Sequence, residues 1–223
     1  MHIPDGYLST SVCSATYAVS TAAAIATFYR AKKKFDDRFV PFVGVSAAFI
    51  FAAQMINFPV AGGTSGHFVG AFLASALLGP AVGFWVMAIV LTVQCLVFAD
   101  GGVTALGANI LNMGIVGGIV PYFLFIGSMK ILPANKKNHI ALAFFASWLS
   151  VVLAAIACSL ELGMSGLIPL KVVLPAMTIV HLFIGIGEGF ITSAVFAYML
   201  NARPNMIYAF LKNQPKKLGM EAM

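Results

Sequence analysis

Residues 108–129, ANILNMGIVGGIVPYFLFIGSM, contain no Asp, Glu, Lys, Arg or His. Wound as an α-helix, a run of ~20 apolar residues covers the ~30 Å hydrocarbon core of a bilayer. Six further apolar runs lie at about 8–29, 41–58, 66–79, 81–98, 140–161 and 173–200, so the pattern predicts an all-α integral membrane protein with about seven transmembrane helices, a single membrane domain over 1–223. The run 66–79 is short for a full crossing, and Gly79-Pro80 makes a poor helix interior, so 66–98 can also be read as a tight hairpin or one broken element. Composition agrees: 61% of residues are hydrophobic, 9% are charged and mean hydropathy is +0.96, whereas soluble domains carry about a quarter charged residues.

Seven crossings put the termini on opposite sides and sort the basic residues. Arg30, Lys32, Lys33, Lys34, Arg38, Lys130, Lys136, Lys137, Arg203, Lys212, Lys216 and Lys217 share one side, and Lys171 stands alone on the other. By the positive-inside rule the amino terminus is external and the carboxyl terminus cytoplasmic. The net charge of +6 is thus spread over membrane loops and makes no surface for nucleic acid. Met1–Tyr7 has no basic n-region and no suitable cleavage site follows, so no cleavable signal peptide is expected. Cys13, Cys95 and Cys158 lie far apart in apolar stretches and read as small buried hydrophobes rather than a disulfide or cluster site. Small residues recur every fourth position at Ala18, Ala22 and Ala26, and again at Gly185, Gly189, Ser193 and Ala197. Such stripes pack helices closely, either within this chain or against a partner subunit.

Four histidines carry most of the chemical information. His139 follows Lys136 and Lys137 in a cytoplasmic loop. His2 and His67 fall on the external face, the latter closing the run Ala61-Gly62-Gly63-Thr64-Ser65-Gly66-His67. At position 2 a histidine can chelate: the Met1 amine, the His2 amide nitrogen and imidazole Nδ1 close a five- and a six-membered ring on one ion. An imidazole from His67 would complete a square of four nitrogens, a geometry that favours Ni(II) or Cu(II) over tetrahedral Zn(II) and oxygen-seeking Mg(II). The plain alternative makes His2 an interfacial residue. Bulky His2 disfavours removal of the initiator, which leaves a free amine on Met1.

Met-His-Ile-Pro-Asp-Gly at 1–6, Gly66-His67, Gly101-Gly102 through Ala105-Leu106-Gly107-Ala108-Asn109, Asn112-Met113-Gly114, and His181 through Gly185-Ile186-Gly187-Glu188-Gly189 together resemble the CbiM/NikM family. The resemblance covers nearly the whole chain. It implies the substrate-binding component (S-component) of an energy-coupling-factor importer for nickel or cobalt, multi-pass in a prokaryotic cell membrane, with Met1, His2 and His67 as metal ligands. It further implies a membrane coupling (T) component, cytoplasmic ATPase subunits and often a small auxiliary membrane subunit, which here would be a separate chain. Ni2+ or Co2+ is then transported substrate, no cofactor is needed, and the protein is not an enzyme. A phosphate loop G-x-x-x-x-G-K-[ST] is absent from the sequence, so energy must come from a partner. Pro4-Asp5 and the planar geometry favour nickel. The alternative is a cobalt-specific component serving cobalamin biosynthesis.

Other polar residues have lesser expected roles. Asn109 and Asn112, one helical turn apart, can hydrogen-bond the amino-terminal segment or simply pack the loop. Asp5 and Asp100 can draw in a cation or serve as turn residues beside glycine. Gln94 is expected to satisfy a polar contact in its span. His181 and Glu188, seven apart and on nearly one helix face, suit a structural or coupling pair within the membrane. Residues 61–67 are expected to close over the amino terminus when metal arrives. Two rival classes remain. Gly63-Thr64-Ser65-Gly66 with His181 matches the pattern of an intramembrane serine protease, and His181 with Glu188 would be the coupling charges of a stand-alone ion-coupled permease.

Overall fold

The computed structural model describes residues 1–34, 39–60, 64–133 and 135–211. Arg38, Lys212, Lys216 and Lys217 of the charge asymmetry, and residues 61–63 of the loop expected to close, lie outside them. The chain runs through α1 (Thr10–Lys32), α2 (Phe39–Gln54), an antiparallel hairpin of β1 (Asn57–Val60) and β2 (Thr64–His67), α3 (Ala71–Leu78) and α4 (Pro80–Phe98). There follow α5 (Leu106–Ile110), a stretch of wider π winding (Leu111–Ile119) and α6 (Val120–Ile131), then α7 (Lys136–Met164), α8 (Leu170–Ala202) and a short α9 (Tyr208–Leu211). The protein is a helical membrane fold. Among the described residues five helical rods are long and apolar enough to cross a membrane: α1, α4, the α5–α6 rod, α7 and α8.

The two remaining apolar runs fold differently from simple crossings. The run expected at 41–58 leaves the helix at Gln54, and Asn57–Val60 pairs instead with Thr64–His67, placing Asn57 opposite His67. Pro59 has no N–H for a helical bond, which favours the departure. The run expected at 66–79 yields eight helical residues, all buried. At ~1.5 Å per residue α3 spans only about 12 Å, so it packs inside the bundle. Aromatic rings lock it there: Phe72 of α3 meets Phe125 of α6 at 5.3 Å, and Phe125 meets Phe196 of α8 at 5.7 Å.

Helices α7 and α8 form an antiparallel pair. A Cβ at Gly185 would lie 2.9 Å from Trp148 Cδ1, and one at Gly189 would lie 2.8 Å from the Phe144 ring. The small-residue stripe of α8 is therefore used within the chain, where it admits aromatic side chains of α7. On α1 the opposite holds. Ala18, Ala22 and Ala26 are exposed, while Thr16 and Ser20 face inward and Ser20 Oγ donates to the Gly107 carbonyl at 2.6 Å. Midway along the α5–α6 rod the Val120 N–H bonds the Ile115 carbonyl, five residues back. Such wide turns recur at functional sites.

Candidate metal centre

The first five residues are threaded into the protein and tied along their backbone. Asn109, at the start of the α5–α6 rod, accepts from the Ile3 N–H through Oδ1 at 2.9 Å and donates through Nδ2 to the Ile3 carbonyl at 3.2 Å. The Gly102 N–H donates to the same carbonyl at 2.8 Å. Thr104 donates its N–H and its hydroxyl to Asp5 Oδ1, at 2.7 and 2.6 Å. The loop can lie this close because it lacks side chains where it crosses: a Cβ on Gly102 would be 2.3 Å from the Asp5 nitrogen, and Gly101 adopts φ +99°, a conformation that favours glycine. Met1 and Ile3 are fully buried, and His2 is 3% exposed.

This threading brings His2 onto His67 at the end of β2. Their rings stack with centroids 4.5 Å apart and planes inclined by 14°, and His67 is buried. Asp100 joins the two elements: its Oδ1 lies 3.1 Å from His2 Nδ1, and its Oδ2 accepts from Asn57 Nδ2 at 3.2 Å. Asn57 pairs with His67 across the hairpin, so one carboxylate fixes both histidine-bearing segments. His67 Nδ1 lies 2.7 Å from the Phe68 carbonyl oxygen. A carbonyl only accepts, so this nitrogen carries the proton and Nε2 carries the free lone pair. That atom is buried without a partner, and the Gln94 side chain faces His2. Unsatisfied buried polar atoms are few in folded proteins. Several such atoms meet at this site.

Electrostatics suit a cation that binds through nitrogen. Burial pushes the Met1 amine from 8.0 down to about 5, and burial also lowers His2 and, further, His67. At neutral pH all three are uncharged and present lone pairs, the form in which nitrogen binds metal. Burial alone would raise the Asp100 carboxyl, but His2, the terminal amine and Asn57 together hold it below its usual range. One negative charge therefore stands beside neutral donors. Among the described residues no three His, Cys, Asp or Glu side chains converge as a metal cage; the Met1 amine is a further nitrogen within electrostatic reach of both His2 and His67. The near-parallel rings add a constraint. An ion lies close to the plane of each imidazole that binds it, and two stacked rings share no such point, so His2 has to turn before both can bind one ion.

The other expected site residues divide. Asn109 binds the amino-terminal segment, whereas Asn112 faces α7 and donates to Glu161 Oε2 at 2.6 Å. Asp5 is exposed, and the Thr104 hydroxyl and N–H hold its carboxyl below the usual range; it anchors the segment away from the histidines. His181 and Glu188 do not bond each other. Glu188 accepts from the Val69 and Gly70 N–H groups, and His181 Nδ1 donates to the Met177 carbonyl at 2.7 Å. The Ser65 side chain of the protease pattern lies outside the described part of the structure. Two participants escape sequence reasoning. Glu161 is an ionisable residue in an apolar span, which is itself a usable signal, and Cys158 lies within electrostatic reach of the Met1 amine, which no local pattern reveals.

Comparison with known proteins places the chain in a family. The family model described as CbiM, cobalt uptake substrate-specific transmembrane region, matches residues 2–206. A relative from Archaeoglobus fulgidus, named putative fused nickel transport protein NikMN, is 46% identical over 222 residues, covering 99% of this chain and 72% of that protein. The putative cobalt transport protein CbiM 2 of Methanosarcina barkeri is 30% identical, covering 93% of this chain and 92% of that one. A crystal structure of a truncated transition metal transporter is 32% identical, with a TM-score of 0.83 over 90% of this chain and 99% of that one. With the match running from the buried His2 to the end of the helical bundle, the chain belongs to the CbiM family.

Proposed function

We propose that the chain is the substrate-binding component of an ATP-driven importer and captures Ni2+, in preference to Co2+, at the external face. The Met1 amine, the His2 amide nitrogen and Nδ1, and His67 Nε2 supply four nitrogens. The observation that carries this reading is the burial together of Met1, His2 and His67, uncharged and with His67 Nε2 unpartnered. Capture turns the His2 ring, and Nδ1 leaves Asp100 for the ion. Loss of the amide proton lowers the charge of the complex and eases its burial. The names of the relatives support a nickel or cobalt cargo.

Energy enters through partners: a membrane coupling subunit, cytoplasmic ATPases and a small auxiliary membrane subunit. The exposed Ala18, Ala22 and Ala26 face of α1 is the surface offered to the coupling subunit. Glu188 links α8 to the segment carrying His67, so motion of α8 reaches the ligand set. The charge asymmetry supports an external amino terminus.

The test is Ni(II) binding by calorimetry and visible absorption on the native chain and on a chain with one residue inserted before Met1. A square-planar d–d band in the native chain, lost on extension, is expected. Equal binding by both would place the ligands elsewhere.

A further inference from the structure

Helix α2 has little protein against it: of its 16 residues only Ile50 and Gln54 are buried. Toward α8 it leaves two open grooves that share Phe49. One, of about 280 Å3, runs past Phe68 to Ile184 and Ile191, and the other, of about 220 Å3, passes Phe42, Val195 and Met199 over a floor of α3. Together they follow α8 from Ile184 to Met199, ~22 Å at ~1.5 Å per residue. The lining is apolar apart from Ser46 and Glu188, and Glu188 already has both carboxylate oxygens engaged by the Val69 and Gly70 N–H groups.

Dimensions and charge select an occupant. A helix as long as the seam, ~10 Å across, fills more than ~1,000 Å3, about twice what the two grooves offer, whereas a hydrocarbon chain is long and thin. One end of the seam is basic. Exposed Arg203 donates its N–H to the carbonyl of Met199, a lining residue, at 2.8 Å, and Lys136 reaches Asn201 on the same turn of α8. Lys34 Nζ stands 3.0 Å from the centre of the Tyr208 ring and adjoins Gly79, two residues past Leu77 of the groove floor. In each charged loop at this end of the bundle basic residues outnumber acidic ones, Asp36 and Asp37 included. An anionic headgroup suits the basic end and its tail suits the seam.

We propose that the α2–α8 seam binds one anionic phospholipid, with an acyl chain along Phe42, Phe49 and Val195 and the headgroup phosphate against Arg203 and Lys34. The lipid supplies the packing that protein leaves out along α2. It thereby steadies the helix that leads, through Gln54 and its bond to the Val69 carbonyl, into the β-hairpin.

This site goes beyond metal capture, and its test uses no metal. The purified full chain is placed in nanodiscs of phosphatidylcholine alone or mixed with phosphatidylglycerol and its thermal unfolding is followed; lipid retained in detergent is counted by native mass spectrometry. The native chain is expected to keep one phosphatidylglycerol and to unfold about 2–4 °C higher when that lipid is present. Arg203→Glu acts at the headgroup, and Val45→Trp narrows the seam from an exposed position. Each is expected to weaken retention by at least about tenfold, while Lys130→Glu, exposed at the same end of the bundle, keeps it. Unfolding midpoints in phosphatidylcholine alone show that the variants fold. Equal retention of both lipids, native retention by Val45→Trp, or equal loss in Lys130→Glu would overturn the site. So would a lipid-free dimer, in which a second copy covers the seam.

Discussion

Glu188 grips the main chain at Val69. Its Oε2 accepts the Val69 N–H at 2.6 Å while Oε1 accepts the Gly70 N–H at 3.0 Å, and Gln54 Nε2 holds the Val69 carbonyl at 2.6 Å. Two residues earlier in the chain stands His67, so the register of a candidate ligand is set by a carboxylate on α8. Glu188→Gln keeps one acceptor and turns an NH2 group toward a donor. Release of bound Ni(II) to an external chelator, followed by stopped flow, is expected to speed up by about tenfold. An unchanged release rate would show that the hairpin holds His67 without help from α8.

Asn109 and Asn112 separate into testable roles. Asn109→Ala leaves the buried Ile3 amide without its acceptor, at a cost of about 1–3 kcal/mol, and frees the segment that carries the amine. Ni(II) affinity is expected to fall roughly 10- to 100-fold by calorimetry. Asn112→Ala acts on Glu161 and is expected to leave affinity near the native value. Equal effects would mean that both act through general stability.

Acid is expected to destabilise the metal-free chain over a defined range. The Met1 amine titrates at about 5 when folded, against 8.0 when solvated. Between these values the unfolded chain binds more protons than the folded one, so stability rises with pH through this window and declines toward its acid end. The lowered His2 and His67 act in the same direction. Thermal unfolding recorded across the window checks the sign; a midpoint independent of pH would show the amine to be solvated.

Proton release on binding follows from the same neutral donors. With amine and imidazoles already uncharged at pH 7, only the His2 amide has a proton to lose, so about one proton leaves per Ni(II). Calorimetry in buffers of different ionisation enthalpy counts it. A value near two would mean that an amine charged in the free chain also gives one up.

Gly102→Ala tests the close crossing of loop and amino terminus. The added Cβ would meet backbone at 2.3 Å from the Asp5 nitrogen, which cannot yield like a side-chain end. A loss of about 1–3 kcal/mol together with Ni(II) binding is expected. Gly187→Ala is the control: nothing lies within 4 Å of its Cβ position, and a mid-helix Ala gains about 0.5–1 kcal/mol. Native binding by Gly102→Ala would refute the argument for close contact.

The long crossings are legible in the sequence because an apolar run of bilayer length has few other ways to satisfy its backbone. The run 41–58 misleads for the same reason. Hydropathy does not register that Asn57–Val60 finds a strand partner after the turn, and α3, bracketed by Gly70 and Gly79, is apolar because the bundle surrounds it. At the candidate site, the chelating capacity of His2 is legible because it is a property of three consecutive atoms groups: amine, amide and imidazole. The link from Asp100 to both histidine segments is invisible in sequence, since it comes from a turn and a hairpin meeting in space. Cys158 illustrates the limit most clearly, reading as a small hydrophobe and lying within electrostatic reach of the buried Met1 amine.

The π winding at Leu111–Ile119 has a mechanical consequence. It packs more residues into each turn than the α-helices joined to it, so rewinding it would swivel one end of the rod against the other. Asn109 at the α5 end is tied to Ile3, while Pro121, Tyr122 and Phe125 at the α6 end are buried in the bundle. The π turns thus stand between an end tied to the amino-terminal thread and an end held in the bundle, and a change in their winding would be taken up between the two.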